Sequence, residues 1–256
     1  MLPLRVTADK YALRVIFYLT RKLAEKSEVK VQKLDHVALY MRDRDAAADF
    51  LTSRFGFHVV DHTDRYTLVG AGGRLGKLTL FDAPDGTEPT PGVIERILIR
   101  VSDPDSAVAR LEDAEPSEYG YGFAGPEGLP LGLVRGEGDL TDYDLEGLVL
   151  RSGDPEGAAR GFAEMGFGPG EDATTVKAGE YRLRLVPSES GGAPGGMLYH
   201  IGCLVDSAED HRRQAEEQGL EIQDFVEGPN TLAVFVRGPE GVSVEYVEHK
   251  PTFSLT

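Results

Sequence analysis

Hydrophobic positions recur along the chain either every second residue, which is typical of strands, or every three to four residues, which is typical of helices. The order of these strand-like and helix-like segments repeats. From Leu34 the sequence LDHVALY is typical of a strand, and a helical pattern with one apolar face follows over residues 43–55. Gly56 and Phe57 end this helix, because a glycine directly after an apolar helical face is a common C-cap. Three strand-like segments come next: His58–Val60, Tyr66–Val69 and Lys77–Phe81. The pattern predicts one βαβββ module.

The same unit recurs three times, with strand-like starts near residues 94, 145 and 198. The ends of the second and fourth copies match closely, since residues 125–134 read GPEGLPLGLV and residues 238–247 read GPEGVSVEYV. Each GPEG is predicted to be a turn that leads into a final strand. A single module leaves an apolar sheet face exposed, so we expect modules to pair around a cavity. The predicted fold class is α+β, with four βαβββ modules paired into two curved-sheet, cup-like units.

Acidic and glycine-rich linkers separate the modules. We predict an N-terminal extension and four modules with these bounds: 1–33, 34–91, 92–140, 141–192 and 193–256. The extension carries a helical apolar face formed by Leu13, Ile16, Phe17, Leu19 and Leu23. This helix is predicted to dock on the body or on a partner subunit, with surface membrane association as the alternative. Its apolar stretch is too short to span a bilayer, so we expect a cytoplasmic protein.

The composition of the chain argues against several classes of partner and of metal site. The chain has 256 residues with 43 Asp and Glu against 27 Lys and Arg, which gives a formal net charge of −16. A surface this acidic repels phosphate backbones and anionic lipids, so neither nucleic acid nor a membrane is an expected partner. Cys203 is the single cysteine, which excludes internal disulfides and thiolate clusters. A bound metal would therefore need histidine and carboxylate ligands.

The repeated modules resemble the vicinal-oxygen-chelate superfamily, which includes glyoxalase I, bleomycin-resistance proteins and extradiol ring-cleaving dioxygenases. The resemblance covers residue 34 to about residue 250. It implies metal ligands on the first strands of paired modules and on the last strand of one of them. At these positions the residues able to bind a metal are His36, His200 and Glu245. Two imidazoles and one carboxylate form the facial triad of non-heme Fe(II) oxygenases.

The three candidate ligands are divided between the first module and the fourth. A shared site therefore requires the first module to pair with the fourth, and the second with the third. This layout is similar to the chlorohydroquinone ring-cleaving dioxygenases, on the segments LDH (34–36), LYH (198–200) and FVRGPEGVSVE (235–245). That resemblance implies Fe(II) or Mn(II) as the cofactor, and a small catechol- or hydroquinone-like aromatic together with O₂ as the substrates. Assembly into a homo-oligomer is compatible with it. The competing interpretation is that each histidine is a hydrogen-bonded core residue.

The chain departs from the extradiol pattern around the candidate site. Phe235 stands where these relatives place a tyrosine, and we expect it to line the substrate pocket. A histidine that commonly precedes each ligand is replaced by Asp35 and Tyr199. The acid–base candidates are Tyr199, His249, His58 and His62, and the last two are more typical of a solvated strand face. Adjacent strand residues face opposite ways, so Tyr199 is expected to point away from the ligands, which favours His249. His211 lies among charged residues and is expected at the surface.

Two other functions remain open. A glyoxalase- or epimerase-type lyase or isomerase would also use the metal, but those relatives generally have a fourth ligand on the last strand of the other ligand-bearing module. Here that strand reads KLTLF over residues 77–81, without a carboxylate or amide. A metal-free binding protein of the drug-resistance type would need only the cavity.

Overall fold

The computed structural model describes residues 29–111, 113–136, 143–189 and 196–254. Within these ranges the order strand, helix, three strands recurs four times, as the periodicity predicts. The predicted helix of the N-terminal extension falls on residues 1–28 and lies outside the described residues. The longest described helix has 12 residues, and none of the described helices is long and apolar enough to cross a membrane.

The four repeats have the following elements. The first contains β1 (Lys33–Met41), α1 (Arg44–Phe55), β2 (His58–His62), β3 (Tyr66–Gly70) and β4 (Lys77–Asp82). The second contains β5 (Ile94–Val101), α2 (Pro104–Val108), β6 (Glu115–Ser117), β7 (Gly120–Ala124) and β8 (Pro130–Arg135). The third contains β9 (Asp144–Ser152), α3 (Pro155–Glu164), β10 (Gly168–Pro169), β11 (Thr175–Ala178) and β12 (Tyr181–Pro187). The fourth contains β13 (Leu198–Leu204), α4 (Ala208–Gln218), β14 (Ile222–Glu227), β15 (Thr231–Arg237) and β16 (Ser243–His249).

The strands form two curved eight-stranded sheets, each built from two modules. Sheet A has the order β14-β15-β16-β13-β1-β4-β3-β2 and joins the first module to the fourth. Sheet B has the order β10-β11-β12-β9-β5-β8-β7-β6 and joins the second module to the third. In each sheet the first strands of the two modules form an antiparallel seam, β1 with β13 and β5 with β9. The expected nested pairing of modules is therefore present.

Side-chain caps fix where the helices start and end. Asp43 accepts a hydrogen bond from the Ala46 amide at the start of α1, and Ser207 caps α4 in the same way. Gly56 and Gly219 end these two helices in the left-handed conformation, which glycine adopts without a steric penalty. Helix α1 therefore begins and ends close to the residues 43–55 that the sequence indicates.

The two GPEG turns hold the sheets to one another. Glu127 and Glu240 occupy equivalent places in these turns, with φ values of 56° and 55°. The Glu127 carboxylate of the second module accepts hydrogen bonds from the backbone amides of Arg42 and Asp43, both at 2.9 Å. Glu240 of the fourth module accepts one from the Ser152 hydroxyl at 2.6 Å. Each turn thus joins its own sheet to residues just before a helix of the other sheet.

Candidate metal centre

Three adjacent strands of sheet A carry the predicted donor residues. His36 lies on β1, His200 on β13 and Glu245 on β16, so the antiparallel seam brings residues from the two ends of the chain together. In the register of the sheet, Gly202 is opposite both His36 and Glu245. The side chains of His36, His200 and Glu245 consequently converge on the same face of the sheet.

The donor atoms lie within hydrogen-bonding distance of one another. His36 Nε2 is 2.9 Å from His200 Nε2 and 3.0 Å from Glu245 Oε2, and His200 Nε2 is 3.1 Å from the same oxygen. Among the described residues, these three form a group able to hold a metal ion. His200 is 3% exposed and Glu245 is also buried, so bulk water does not solvate the cluster freely.

This spacing fits a divalent metal ion. Donor atoms bound to one ion at about 2.1 Å lie about 3.0 Å apart when the bonds meet at right angles, and about 3.4 Å apart at the tetrahedral angle. The observed separations of 2.9–3.1 Å match the first value. The chemistry of the set, two imidazoles and a carboxylate, suits Fe(II), Mn(II) and similar ions.

Gly202 provides the space for the His36 imidazole. A Cβ atom at this position would lie 2.3 Å from Cε1 of His36, far inside van der Waals contact. Glycine at position 202 is therefore a steric requirement of the cluster, which the sequence pattern alone does not indicate.

Two β-bulges change which residues face the cluster. Leu34 and His36 pair with the consecutive residues Cys203 and Gly202, so Asp35 is an extra residue on β1. The second register shift makes Tyr199 an extra residue on β13 in the same way. An extra residue interrupts the alternation of side chains along a strand.

The expectation that Tyr199 points away from the ligand face is wrong for this reason. Its ring lies 4.6 Å from the His200 ring and 4.6 Å from that of Tyr40, on which it stacks. Tyr199 lines the same cavity as the three donors. Burial is the main cause that raises the pKa of Tyr40 to about 12, and the neighbouring Tyr199 adds to the effect. The Tyr40 hydroxyl therefore keeps its proton at neutral pH.

Opposing effects set the charges of the donors. Burial lowers the pKa of His36, but the hydrogen bonds with Asp35 and Glu245 outweigh burial and raise this pKa to about 9. Burial raises the pKa of Glu245, but the contacts with His200 and His36 outweigh it and lower this pKa to about 2. Burial lowers the pKa of His200. The two imidazoles thus favour the ionised form of the Glu245 carboxylate.

The donors lie in a cavity of about 720 Å³ in sheet A. Phe235 pairs with Glu245 across β15 and β16, and its ring contacts that of His200 at 5.2 Å. Further aromatic side chains line the cavity: Tyr40, Tyr66, Phe81, Tyr199 and Phe253. The volume and the lining suit a small aromatic molecule.

The structure places the remaining histidines of the sequence analysis in different environments. His249 lines the cavity, stacks on Phe253 with ring centroids 3.5 Å apart, and lies 3.7 Å from the Asp35 carboxylate. His211 is 3% exposed, so its expected surface position is wrong. Ala208, His211 and Ala215 share the buried face of α4, and the charged neighbours of His211 point the other way.

Sequence comparison connects this geometry to a known family. Residues 33–127 match the family described as Glyoxalase/Bleomycin resistance protein/Dioxygenase superfamily. Over these residues the chain is similar to the vicinal-oxygen-chelate superfamily. A search of curated proteins by sequence found no match.

Solved structures extend the similarity of the fold over both sheets. A candidate dioxygenase from Bacillus subtilis subsp. subtilis strain 168 superposes with a TM-score of 0.68 at 18% identity, over 87% of each chain. Glyoxalase I from Zea mays gives a TM-score of 0.66 at 16% identity, over 84% of this chain and 92% of that chain. The cppA protein from Streptococcus pneumoniae TIGR4 gives 0.55 at 14% identity, over 86% and 98%. At these identities the likeness establishes the fold.

Proposed function

We propose that this protein is a mononuclear Fe(II)- or Mn(II)-dependent dioxygenase of the extradiol type, which cleaves the ring of a catechol- or hydroquinone-like substrate with O₂. The observation that carries the proposal is the set of three protein donors His36, His200 and Glu245, spaced at 2.9–3.1 Å. Three donors on one face leave positions for two substrate oxygens and for O₂. A bound divalent ion supplies a Lewis acid and a template for these oxygens.

The residue at the fourth donor position supports this choice of reaction. In the fourth module, the last-strand residue Glu245 lies opposite Gly202, two residues after the donor histidine of the first strand. In the first module, the residue two positions after the donor histidine is Ala38, and Thr79 lies opposite it. Thr79 is thus the counterpart of Glu245 in the other half of sheet A. A threonine hydroxyl is a weak ligand for a divalent ion compared with a carboxylate. The isomerase-type relatives generally have a fourth protein ligand here, so Thr79 favours an oxygenase.

The cavity walls fit an aromatic substrate. Tyr40, Tyr199, Phe81 and Phe235 present ring faces and edges that bind a flat ring by stacking and edge contacts. Burial lowers the pKa of His249, which is therefore neutral at pH 7 and able to accept a proton from a substrate hydroxyl. Tyr40 and Tyr199 place hydroxyl donors in the same cavity.

The test begins with metal content and continues with oxygen uptake. Purified protein is loaded anaerobically with Fe(II) or Mn(II), excess metal is removed, and the bound metal is measured for wild type and for His200→Ala. We expect close to one ion per wild-type chain and a large loss of bound metal in the variant. Uptake that His200→Ala leaves unchanged contradicts the metal site.

Loaded wild-type protein is then mixed with a panel of catechols and hydroquinones in an oxygen electrode. We expect one O₂ consumed per substrate molecule, together with the absorbance of a ring-opened product. Stoichiometric metal without oxygen uptake on any substrate overturns the dioxygenase. Turnover of hemithioacetals in that case would point to the glyoxalase-type alternative, and tight binding of an aromatic without turnover to the binding protein.

A further inference from the structure

Asp35 is placed to fix the orientation of His36. The bulge on β1 turns Asp35 toward the ligand face, and its Oδ2 atom lies 3.0 Å from Nδ1 of His36. A carboxylate accepts hydrogen bonds and donates none, so Nδ1 carries the proton in this contact. The opposite ring nitrogen, Nε2, then faces His200 and Glu245.

Lys77 holds the other side of the Asp35 carboxylate. Its Nζ atom lies 3.1 Å from Oδ1 of Asp35, and it also donates to the carbonyl oxygens of Gly73 at 3.2 Å and Leu75 at 3.0 Å. Lys77 is 1% exposed and Asp35 is 6% exposed. The lysine therefore has three acceptors in a buried position, and its own freedom of movement is small.

The second histidine of the cluster is held differently. Nδ1 of His200 is buried and has no hydrogen-bond partner among the described residues. The rings of Phe235, Tyr199 and Phe81 surround His200, with centroids 5.2, 4.6 and 6.2 Å from its own. Aromatic packing thus orients one imidazole, whereas a charged pair orients the other.

We infer that Asp35 is a positioning residue that holds His36 in the tautomer and orientation needed to bind the metal through Nε2, and that Lys77 anchors Asp35 in turn. The inference rests on the proposed metal site, because it assigns a role toward the ion. Carboxylates that accept the second N–H of a ligating histidine typically change metal affinity 10- to 100-fold when removed.

The test compares Asp35→Asn with Glu146→Gln as a matched control. Glu146 is a buried carboxylate in a bulge of sheet B, pairs with Arg182 and does not line the cavity of the three donors. Dissociation constants for Zn(II) and Co(II) are measured by competition with a chromophoric chelator. We expect the constant to rise about 10- to 100-fold for Asp35→Asn and to stay at the wild-type value for Glu146→Gln.

A spectroscopic measurement separates positioning from a loss of stability. In the Co(II)-substituted protein, the ring N–H protons of both bound histidines give shifted proton resonances. Asp35→Asn should displace the resonance of His36 and leave that of His200 in place. Equal affinities for the two variants, or displacement of both resonances together, overturns the inference. A wild-type protein that binds no metal instead contradicts the proposed function.

A double variant keeps the test decisive if Asp35→Asn fails to fold. Asparagine at position 35 leaves the Lys77 ammonium buried without its anion, which is costly. Asp35→Asn/Lys77→Met removes both charges and avoids this penalty. The double variant should still bind metal about 10- to 100-fold more weakly than wild type. Wild-type affinity in a folded double variant overturns the role of Asp35.

Discussion

His249 faces the cavity from the end of β16, four residues beyond Glu245. Its contacts are aromatic stacking on Phe253 and a 3.7 Å approach to the carboxylate of Asp35, and it does not belong to the group of three donors. A neutral imidazole in this place has the chemistry of a general base without being needed to hold the ion.

We predict that His249→Ala lowers the rate of ring cleavage by roughly 10²-fold or more, the lower range for a general acid–base group. Metal content should stay at the wild-type level, because none of the three donors is changed. Steady-state oxygen uptake and metal analysis on the same preparation measure the two quantities. His58→Ala, an exposed histidine on β2, is the control for the loss of an imidazole. A wild-type rate in His249→Ala would remove this residue from the reaction and leave Tyr199 as the candidate.

At the scale of the elements, α4 is packed on sheet A through a buried histidine. His211 donates from Nδ1 to the Ser207 carbonyl at 2.9 Å, and its ring lies 4.4 Å from that of Tyr246. Burial lowers the pKa of His211, so the imidazole stays neutral in the folded protein. The unfolded chain binds a proton at this histidine below about pH 6.5. Unfolding therefore becomes easier as the pH falls.

We predict that His211→Leu makes the free energy of unfolding less sensitive to acid. Between pH 7 and pH 5 the wild type should lose up to about 1.4 kcal/mol per pH unit more than the variant. Urea denaturation at half-unit pH intervals measures this difference. If the two curves run parallel over that interval, the imidazole already takes up its proton in the folded state.

Much of the arrangement of elements can be predicted from the chain, because strands and helices have different periods. The glycine that ends α1, the GPEG turns and the order of strands all come from local patterns. The choice of His36, His200 and Glu245 came from the resemblance to the superfamily, laid over the repeated modules, and the structure brings these three side chains together. The pairing of the outer modules follows from the division of these donors between the first module and the fourth.

The orientation of side chains next to the donors could not be predicted in this way. The bulges at Asp35 and Tyr199 depend on how two strands from distant parts of the chain align, and no local signal marks an extra residue. For the same reason the contact of Asp35 with Lys77 and the crowding of Gly202 by His36 are visible only in the folded protein. The burial of His211 was missed because its neighbours in the sequence are charged, although a helix places them on its other face.

At the scale of the whole molecule, one sheet is nested inside the other along the chain. In sheet B, Ile97 pairs with Leu148, 51 residues away, and all its strands lie between residues 94 and 187. In sheet A, Val37 pairs with Ile201, 164 residues away. Closing the longer loop costs about 1 kcal/mol more chain entropy, unless the intervening segment is already folded. Sheet B is therefore expected to form first.

We predict that refolding protects the amides of the β5–β9 seam from hydrogen exchange before those of the β1–β13 seam. Non-local pairing is slow to form, and a folded sheet B shortens the loop that sheet A must close. Pulsed hydrogen exchange during refolding from urea, read by mass spectrometry of peptides from the two seams, measures the order. Simultaneous protection of both seams would indicate that the two sheets fold as one cooperative unit.

The nested pairing also has a consequence for the living cell, where the chain is made from one end. The ribosome adds His36 164 residues before His200, and Glu245 comes later still. Until both partners have been added, a nascent chain cannot hold a metal ion through all three donors. The proposed metal site can therefore form only after Glu245 has been made and β16 has paired with β13.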